Sequence, residues 1–331
     1  MQLLLTKHMD ISLLLIFFFI LFAFELIYFK MAAQYNIIDH PNHRSSHTKI
    51  TIRGGGIIFT IGFLLCSFYL RWEYGYFLIG LLLISMISFV DDIKPTSRRI
   101  RILFHLTAVA LLFYQLGMYY LTFYWILLGF VFVIGTINAV NFMDGINGIT
   151  GGYGLIILLT LYYINKYIIA YTDENYLIIS ILSLLVFNFF NFRTKAKCFA
   201  GDVGSVSLAF ITVFFLLQLI IKTNDLNYLL LLLVYGLDVV TTILFRLIRK
   251  ENVFEAHRSH FYQFLANERE IHHLLVAGLY MLVQGMVNMI LIKFPLGSIA
   301  NLITYMTVAT VMFILIRFIV EGARRLLMLR K

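Results

Sequence analysis

Asp91 and Asp92 close an apolar run, and Lys94, Arg98, Arg99 and Arg101 follow at once. Neighbouring carboxylates repel each other unless a cation or a base lies between them. One reading is a solvated helix end. The other is a divalent-cation site for a diphosphate, because Mg²⁺ is held by one or two carboxylates plus substrate phosphates. Arg99 and Arg101 would then neutralise phosphate. A second constellation reads Asn138-Ala-Val-Asn141-Phe-Met-Asp144-Gly145-Ile-Asn147-Gly148. Asn138, Asn141 and Asp144 recur every third residue, so on a helix they share a face. Gly145, Gly148, Gly151 and Gly152 let backbone approach a ligand or another helix closely. Packing alone gives no reason for so many amides, acids and glycines in an apolar chain.

Phe199-Ala-Gly201-Asp202-Val-Gly204-Ser205 sets one carboxylate between two glycines. It is a plain turn or a metal ligand. Lys195 and Lys197 just before it suit phosphate, and Phe199 could stack on a base or anchor at the membrane interface. Glu255-Ala-His257-Arg258-Ser259-His260 flanks an arginine with two histidines, which points to oxyanion contacts. Zinc is disfavoured, because no cysteine or carboxylate stands at the expected spacing. Asp238 lies inside an apolar run, and an intramembrane acid is a functional candidate by default. Its partner is either Arg246, about two turns on, or a neighbouring helix.

The elements that must position these residues follow from composition. Of 331 residues, 61% are apolar and 13% charged, against roughly 45–50% and 25% in soluble proteins. No water-soluble fold hides that much apolar surface. A helical span needs about 20 apolar residues, and about eleven stretches qualify: 11–29, 56–71, 75–90, 102–118, 120–137, 153–171, 176–190, 205–221, 227–247, 274–293 and 298–319. Lipid forbids unpaired backbone, so these are helices, and a transmembrane barrel is excluded because its strands alternate and run to only about 10 residues. The expected architecture is an all-α polytopic membrane protein forming one domain over residues 1–331. The net charge is +9, which in this context reflects the positive-inside rule rather than nucleic acid. With the N-terminus outside, most Lys and Arg fall in inner loops and the C-terminal tail, leaving Lys7, Arg71, Lys166, Lys222 and Lys293 outside. The polar clusters at 39–56, 91–101, 138–152, 188–205 and 246–260 then all lie on the cytoplasmic face. Cys66 and Cys198 form no disulfide framework.

The motifs FVDDI (89–93), NAVNFMDGINGITGG (138–152), FAGDVGS (199–205) and AHRSHFYQ (256–263) together resemble the polyprenyl-phosphate N-acetylhexosamine-1-phosphate transferases, glycosyltransferase family 4, the superfamily of phospho-N-acetylmuramoyl-pentapeptide transferase. The upstream segment Asp39-His-Pro41-Asn-His-Arg44-Ser-Ser-His47, then Arg53-Gly54-Gly55-Gly56, matches that family's first inner loop. The resemblance implies transfer of a sugar-1-phosphate from a UDP-N-acetylhexosamine, or a deoxy form, to undecaprenyl phosphate. UMP is released, and Mg²⁺, or Mn²⁺ in its place, is the cofactor. It implies active-site roles for Asp91, Asp92, Asn141 and Asp144, an aromatic at Phe199 that packs on uracil, and phosphate and sugar contacts for His257, Arg258 and His260; taken with the reading of the residues themselves, the catalytic candidates are Asp91, Asp92, Asp144 and His257, and the substrate-binding candidates Asn138, Asn141, Arg99, Arg101, Lys197, Phe199, Arg258 and His260. Asp202 and Asn141 are the metal ligands in that reading. Asn147 stands where the pentapeptide branch carries an acid, and His257-Arg258-Ser259-His260 replaces its histidine triplet, as in the branch that starts O-antigen, capsule or exopolysaccharide. The implied partners are undecaprenyl phosphate, the UDP-sugar and membrane lipid at the inner membrane, with a homodimer left open. The rival from another class is a secondary transporter built on Asp238. A CDP-alcohol phosphotransferase needs a different acid spacing.

Overall fold

The computed structural model describes residues 9–39, 50–253, 255 and 257–328. Each of the eleven apolar stretches coincides with a helix. They are α1 (Ile11–Gln34), α2 (Ile57–Tyr69), α3 (Gly75–Ile93), α4 (Arg98–Gln115), α5 (Phe123–Met143), α6 (Ile149–Tyr167), α7 (Glu174–Asn191) and α8 (Gly201–Thr223). A 3-10 segment, Leu226–Leu232, leads into α9 (Leu233–Ile248). The short turn α10 (Phe261–Gln263) precedes α11 (His273–Lys293), α12 (Ile299–Glu321) and α13 (Ala323–Leu327). Among the described residues, eight helices are long and apolar enough to cross a membrane. α2, with 13 residues, is shorter than a span. The chain is a multi-pass, all-α membrane protein. Its only sheet among the described residues is a two-stranded ribbon, β1 (Ile38–Asp39) antiparallel to β2 (Thr51–Ile52).

The bundle is built around α8, buried along almost its whole length by the helices around it. α2, α3, α5 and α6 pack against it. Phe77 of α3 stacks between Phe210 and Phe214 of α8, with centroids 5.0 and 3.9 Å away. α1 and α12 lie at the rim, largely exposed, as expected of helices whose apolar side chains face lipid rather than protein. Tyr119, Tyr120, Phe123, Tyr124 and Trp125 are exposed where α4 gives way to α5. They cluster at the end of α5 opposite Asn141, as an interfacial aromatic belt does.

The break before α9 leaves backbone groups that lipid cannot satisfy. Gln284 of α11 supplies both partners: its Oε1 accepts the N–H of Val234 at 3.0 Å, and its Nε2 donates to the carbonyl of Leu230 at 2.9 Å. Tyr153 of α6 donates to the same Oε1 at 2.7 Å. A side-chain amide thus replaces the missing helical bonds.

Candidate active site

α3 ends on Asp91 and Asp92, and the second of these enters the N-terminus of α8. Helix N-termini expose unpaired N–H groups and favour negative charge. α8 has no capping side chain of its own. Asp92 serves instead: Oδ1 accepts the N–H of Asp202 at 2.9 Å and Oδ2 that of Val203 at 3.0 Å. Gly201 permits this approach. Its φ is +71°, and a Cβ there would sit 2.6 Å from Asp92 Oδ2. The Asp92 carboxylate is fully buried and also takes Arg53 Nε at 2.7 Å.

Arg53 is delivered by the segment after β2. Phe199 N–H donates to the Ile52 carbonyl, and the N–H groups of Gly55 and Gly56 donate to the carbonyls of Phe199 and Ala200. This contact needs glycine on both sides: a Cβ on Gly56 would stand 2.2 Å from the Cα of Gly204. Tyr28 of α1 donates its hydroxyl to the Arg53 carbonyl at 2.6 Å. A second guanidinium nitrogen, Nη2, reaches Asp202 Oδ1 at 3.5 Å. From the other side, Arg101 of α4 pairs with Asp91 Oδ2 at 2.7 Å and stands 3.9 Å from Asp202 Oδ2. Thr96 fixes Asp91 through its N–H and its hydroxyl, at 2.6 and 2.8 Å.

The three carboxylates therefore differ. Asp92 is saturated by backbone and Arg53, and Asp91 by Thr96 and Arg101. Asp202 is the loosely held one, bracketed by two guanidinium groups and in hydrogen-bonding contact with the Asp91 carboxyl. Two carboxyl groups that close require a shared proton or a cation. The donor set consists of hard oxygens with one carboxylate weakly committed, which fits Mg²⁺ completed by substrate phosphate. Among the described residues, no group of three or more Asp, Glu, His or Cys residues forms a full metal cage.

α5 carries Asn138 and Asn141 toward the same end. Asn141 Oδ1 accepts the hydroxyl of Ser205 on α8 at 2.9 Å. Asn138 turns back on its own helix and donates to the Ile134 carbonyl. The helix stops at Met143, so Asp144 leaves the helical register that the three-residue spacing suggests. Burial, with the charge of Asp92 adding to it, pushes the Asp144 carboxyl up to about 6, and Arg53 offsets only part of this. Asn147 donates to the carbonyls of Arg193 and Thr194, and Asn191 receives the Gly148 N–H while donating to the Cys198 carbonyl. These amides staple the glycine turn to the loop before α8.

The histidine loop folds onto this turn. Tyr262 donates to the Phe142 carbonyl at 3.0 Å and lies against Gly145. The rings of His257 and His260 stand 5.0 Å apart, each 6.4 Å from Phe142. Burial, with the neighbouring His260 and Arg246 side chains adding to it, lowers the His257 imidazole to about 3, so it is neutral near pH 7. Its Nδ1 accepts the Ser259 N–H. Asp238 does not pair with Arg246. It accepts from the N–H groups of Phe261 and Tyr262 and from the hydroxyls of Thr242 and Tyr280, and it faces His260 Nδ1. An acid so fully occupied is an anchor, which removes the main support for a transporter. Arg246 holds Glu251 and the carbonyls of Asn252, Val253 and Glu255.

Among the remaining sequence candidates, Arg99 and Lys197 are exposed, and Phe199 and Arg258 are half-buried. Of the 39–56 cluster, residues 40–49, including Arg44 and His47, lie outside the described residues. Sequence reasoning did not give Arg53 a role as shared counter-ion, nor Thr96, Ser205 and Tyr262 as supports. The available signal was an arginine directly before a glycine triplet, where backbone contact aims the side chain.

Residues 74–220 match the glycosyl transferase family 4 profile. A probable undecaprenyl-phosphate N-acetylglucosaminyl 1-phosphate transferase of Bacillus subtilis is 27% identical over 281 residues, covering 75% of this chain and 72% of the relative. A phospho-N-acetylmuramoyl-pentapeptide-transferase of Streptococcus pneumoniae is 29% identical over 181 residues, and the match spans 46% of this chain and about half, 55%, of that relative. The corresponding enzyme of Petrotoga mobilis is 27% identical over 227 residues, 59% of this chain and 70% of the relative. The matched segment runs from the start of α3 through the body of α8, so the part of the chain that is similar to glycosyl transferase family 4 contains Asp91, Asp92, Asn141, Asp144 and Asp202.

Proposed function

We propose that this protein transfers N-acetylhexosamine-1-phosphate from a UDP-sugar to undecaprenyl phosphate, releasing UMP and starting a cell-surface polysaccharide. The observation that carries the proposal is the gathering of Asp91, Asp92 and Asp202 at one helix N-terminus with Arg53 and Arg101 between them. The names of the relatives support both lipid acceptor and sugar-phosphate donor.

Two polyanions must meet for this reaction. Catalysis then consists mainly of positioning and charge neutralisation for an in-line displacement at phosphorus. An oxygen of the acceptor phosphate attacks the β-phosphorus of the UDP-sugar, and the bond to the UMP phosphate oxygen breaks. A phosphate monoester is largely ionised at pH 7, with a second pKa of about 6, so the nucleophile needs little activation. Asp144 is placed to take the proton that remains. Arg53 and Arg101 hold the carboxylates apart and offer positive charge to the diphosphate. His257 and Arg258 contact its oxygens from the histidine loop. Asp202 and Asn141 would hold Mg²⁺, which when bound supplies Lewis-acid stabilisation of phosphoryl charge.

The test uses membranes, a tritiated UDP-N-acetylhexosamine, undecaprenyl phosphate and Mg²⁺. The expected result is label in the chloroform phase matched by UMP. If every nucleotide sugar leaves the lipid unlabelled while the protein is present and folded, the proposal fails.

A further inference from the structure

A groove of about 850 Å³ runs between α6 and α11. At one end it is lined by Phe192, whose ring lies against Gly148 of the active-site turn. At the other it is lined by Lys293, the last residue of α11, at the end of the bundle opposite the carboxylates. Glycines open its floor. A Cβ on Gly278 would meet no atom within 4 Å, and one on Gly285 would meet only Ile156, at 3.9 Å. Glycine in a transmembrane helix ordinarily lets a neighbouring backbone come close, and it weakens the helix it sits in. Here protein takes up almost none of that space among the described residues, so the two glycines leave room for something else.

The walls decide what fits. Thr160 and Asn288 spend their polar atoms within the protein: Asn288 donates to the Thr160 hydroxyl at 2.9 Å and accepts from Gln284 at 2.7 Å, and Thr160 donates to the Ile156 carbonyl. Such a wall suits hydrocarbon. Lys293 is exposed and is the only charged residue of the lining among the described residues, so it suits a phosphate at the membrane surface. A second copy of this chain fits poorly. In a two-fold dimer the same patch meets itself, both Lys293 side chains come to one depth, and no Asp or Glu of the lining can pair with them. The tail of the lipid acceptor fits poorly too, because its phosphate must reach Asp202 at the other end and would leave Lys293 uncompensated. We propose that the groove binds an anionic phospholipid of the leaflet opposite the active site, with the headgroup phosphate at Lys293 and an acyl chain lying over Gly285 toward Gly278. This inference stands apart from the transferase reading.

The test titrates the full chain in detergent with phosphatidylglycerol or with phosphatidylcholine of the same chains, and counts bound lipid by native mass spectrometry. Wild type should bind phosphatidylglycerol about fivefold more tightly, the contribution of one lysine at an anionic headgroup. Lys293→Ala should bring the two lipids within about twofold. Lys222→Ala removes a cation from the same end of the bundle but outside the groove, and should keep the wild-type preference. Gly285→Leu has room for its side chain in the groove and should reduce binding of both lipids. Detergent melting checks that it folds, and Gly278→Leu, with the same loss expected, replaces it if it does not. A preference that survives Lys293→Ala, or wild-type lipid binding by the leucine variant, overturns the inference. So does a groove filled otherwise: a raised KM for undecaprenyl phosphate in the leucine variant would mark the acceptor's tail, and a change in its oligomeric mass with lipid binding intact would mark a second copy. Lipid binding is read without turnover, so failure of the transferase reading and failure of this inference are told apart.

Discussion

The division of labour between Asp92 and Asp202 yields a paired prediction. Asp92→Asn keeps the shape of the side chain but puts an amide NH₂ where a carboxylate oxygen now receives backbone N–H. Whichever way the amide turns, it loses one charge-assisted bond to the α8 terminus or the 2.7 Å contact with Arg53. A hydrogen bond to a charged group contributes about 1.5–3 kcal/mol. Loss of a cap costs about 0.5–2 kcal/mol. The two overlap, so a loss of about 2–4 kcal/mol is expected. At about 2–4 °C per kcal/mol, detergent melting should fall by roughly 4–16 °C. Asp202→Asn removes a carboxylate whose cationic neighbours stand at 3.5 and 3.9 Å, and partial exposure screens such pairs to about 1 kcal/mol or less. Its melting should stay within about 2–3 °C of wild type, while turnover falls by several orders of magnitude. Both variants should be purified in the same detergent, melted by intrinsic fluorescence and assayed for UMP release. Equal melting shifts, or an Asp202→Asn variant within about threefold of wild-type activity, would refute the assignment of one carboxylate to the fold and the other to the chemistry.

Four further outcomes are expected. Asp144, raised to about 6, should impose an acid limb on the pH profile of kcat/KM with its midpoint near that value, and Asp144→Asn should abolish the limb. The folded protein holds this proton more tightly than the unfolded chain, so stability falls as pH rises from about 4 through about 6. Asp144→Asn should therefore melt higher than wild type at pH 7.5, and an unchanged or lower melting point would contradict the burial argument. Arg53→Lys cannot span Asp92 and Asp202 with one ammonium and should lose about 10- to 100-fold in kcat/KM; wild-type constants would remove Arg53 from the site. Gln284→Leu leaves the Leu230 carbonyl and the Val234 N–H unpaired in an apolar setting, at a cost of about 2–4 kcal/mol, so its melting point should drop while KM values hold, and an unaltered melt would sink the idea. Reporter fusions after Lys166 and after Arg258 should lie on opposite sides of the membrane, and the same side for both would reverse the topology drawn from the basic residues.

The long helices were legible because apolar runs declare themselves over about 20 residues. The loops that bear chemistry were legible because an apolar chain spends few polar residues without cause. What stayed hidden is pairing across long separations. Asp91 and Asp92 look alike in sequence, but the helix turn sends one toward Thr96 and Arg101 and the other into the end of α8, more than a hundred residues on. Asp238 read as an intramembrane acid paired with Arg246 or with a neighbouring helix, since no periodicity announces that a loop some twenty residues later will fold back onto it. Arg246 satisfies loop carbonyls rather than Asp238. The register of Asp144 was misjudged for a local reason: Gly145 and Gly148 weaken the helix at that point, so the spacing that aligns Asn138 with Asn141 does not extend to it.

α12 has little apolar packing against the bundle, yet its Arg317 is almost wholly buried. That guanidinium donates to the hydroxyls of Thr241 and Thr242 and to the carbonyl of Ser259, the residue between Arg258 and His260. The order of synthesis gives this contact a meaning. The ribosome releases α1 through α11 and the whole histidine loop before position 317 exists. Until α12 inserts and threads its arginine inward, the loop is held by Asp238 and the Phe142 carbonyl at residues 260–262, and the Ser259 carbonyl lacks its Arg317 partner. Completion of the site is thereby tied to insertion of α12, and a nascent polypeptide that has not yet placed this helix would occupy the membrane with its carboxylates assembled but its histidine loop held at one end only.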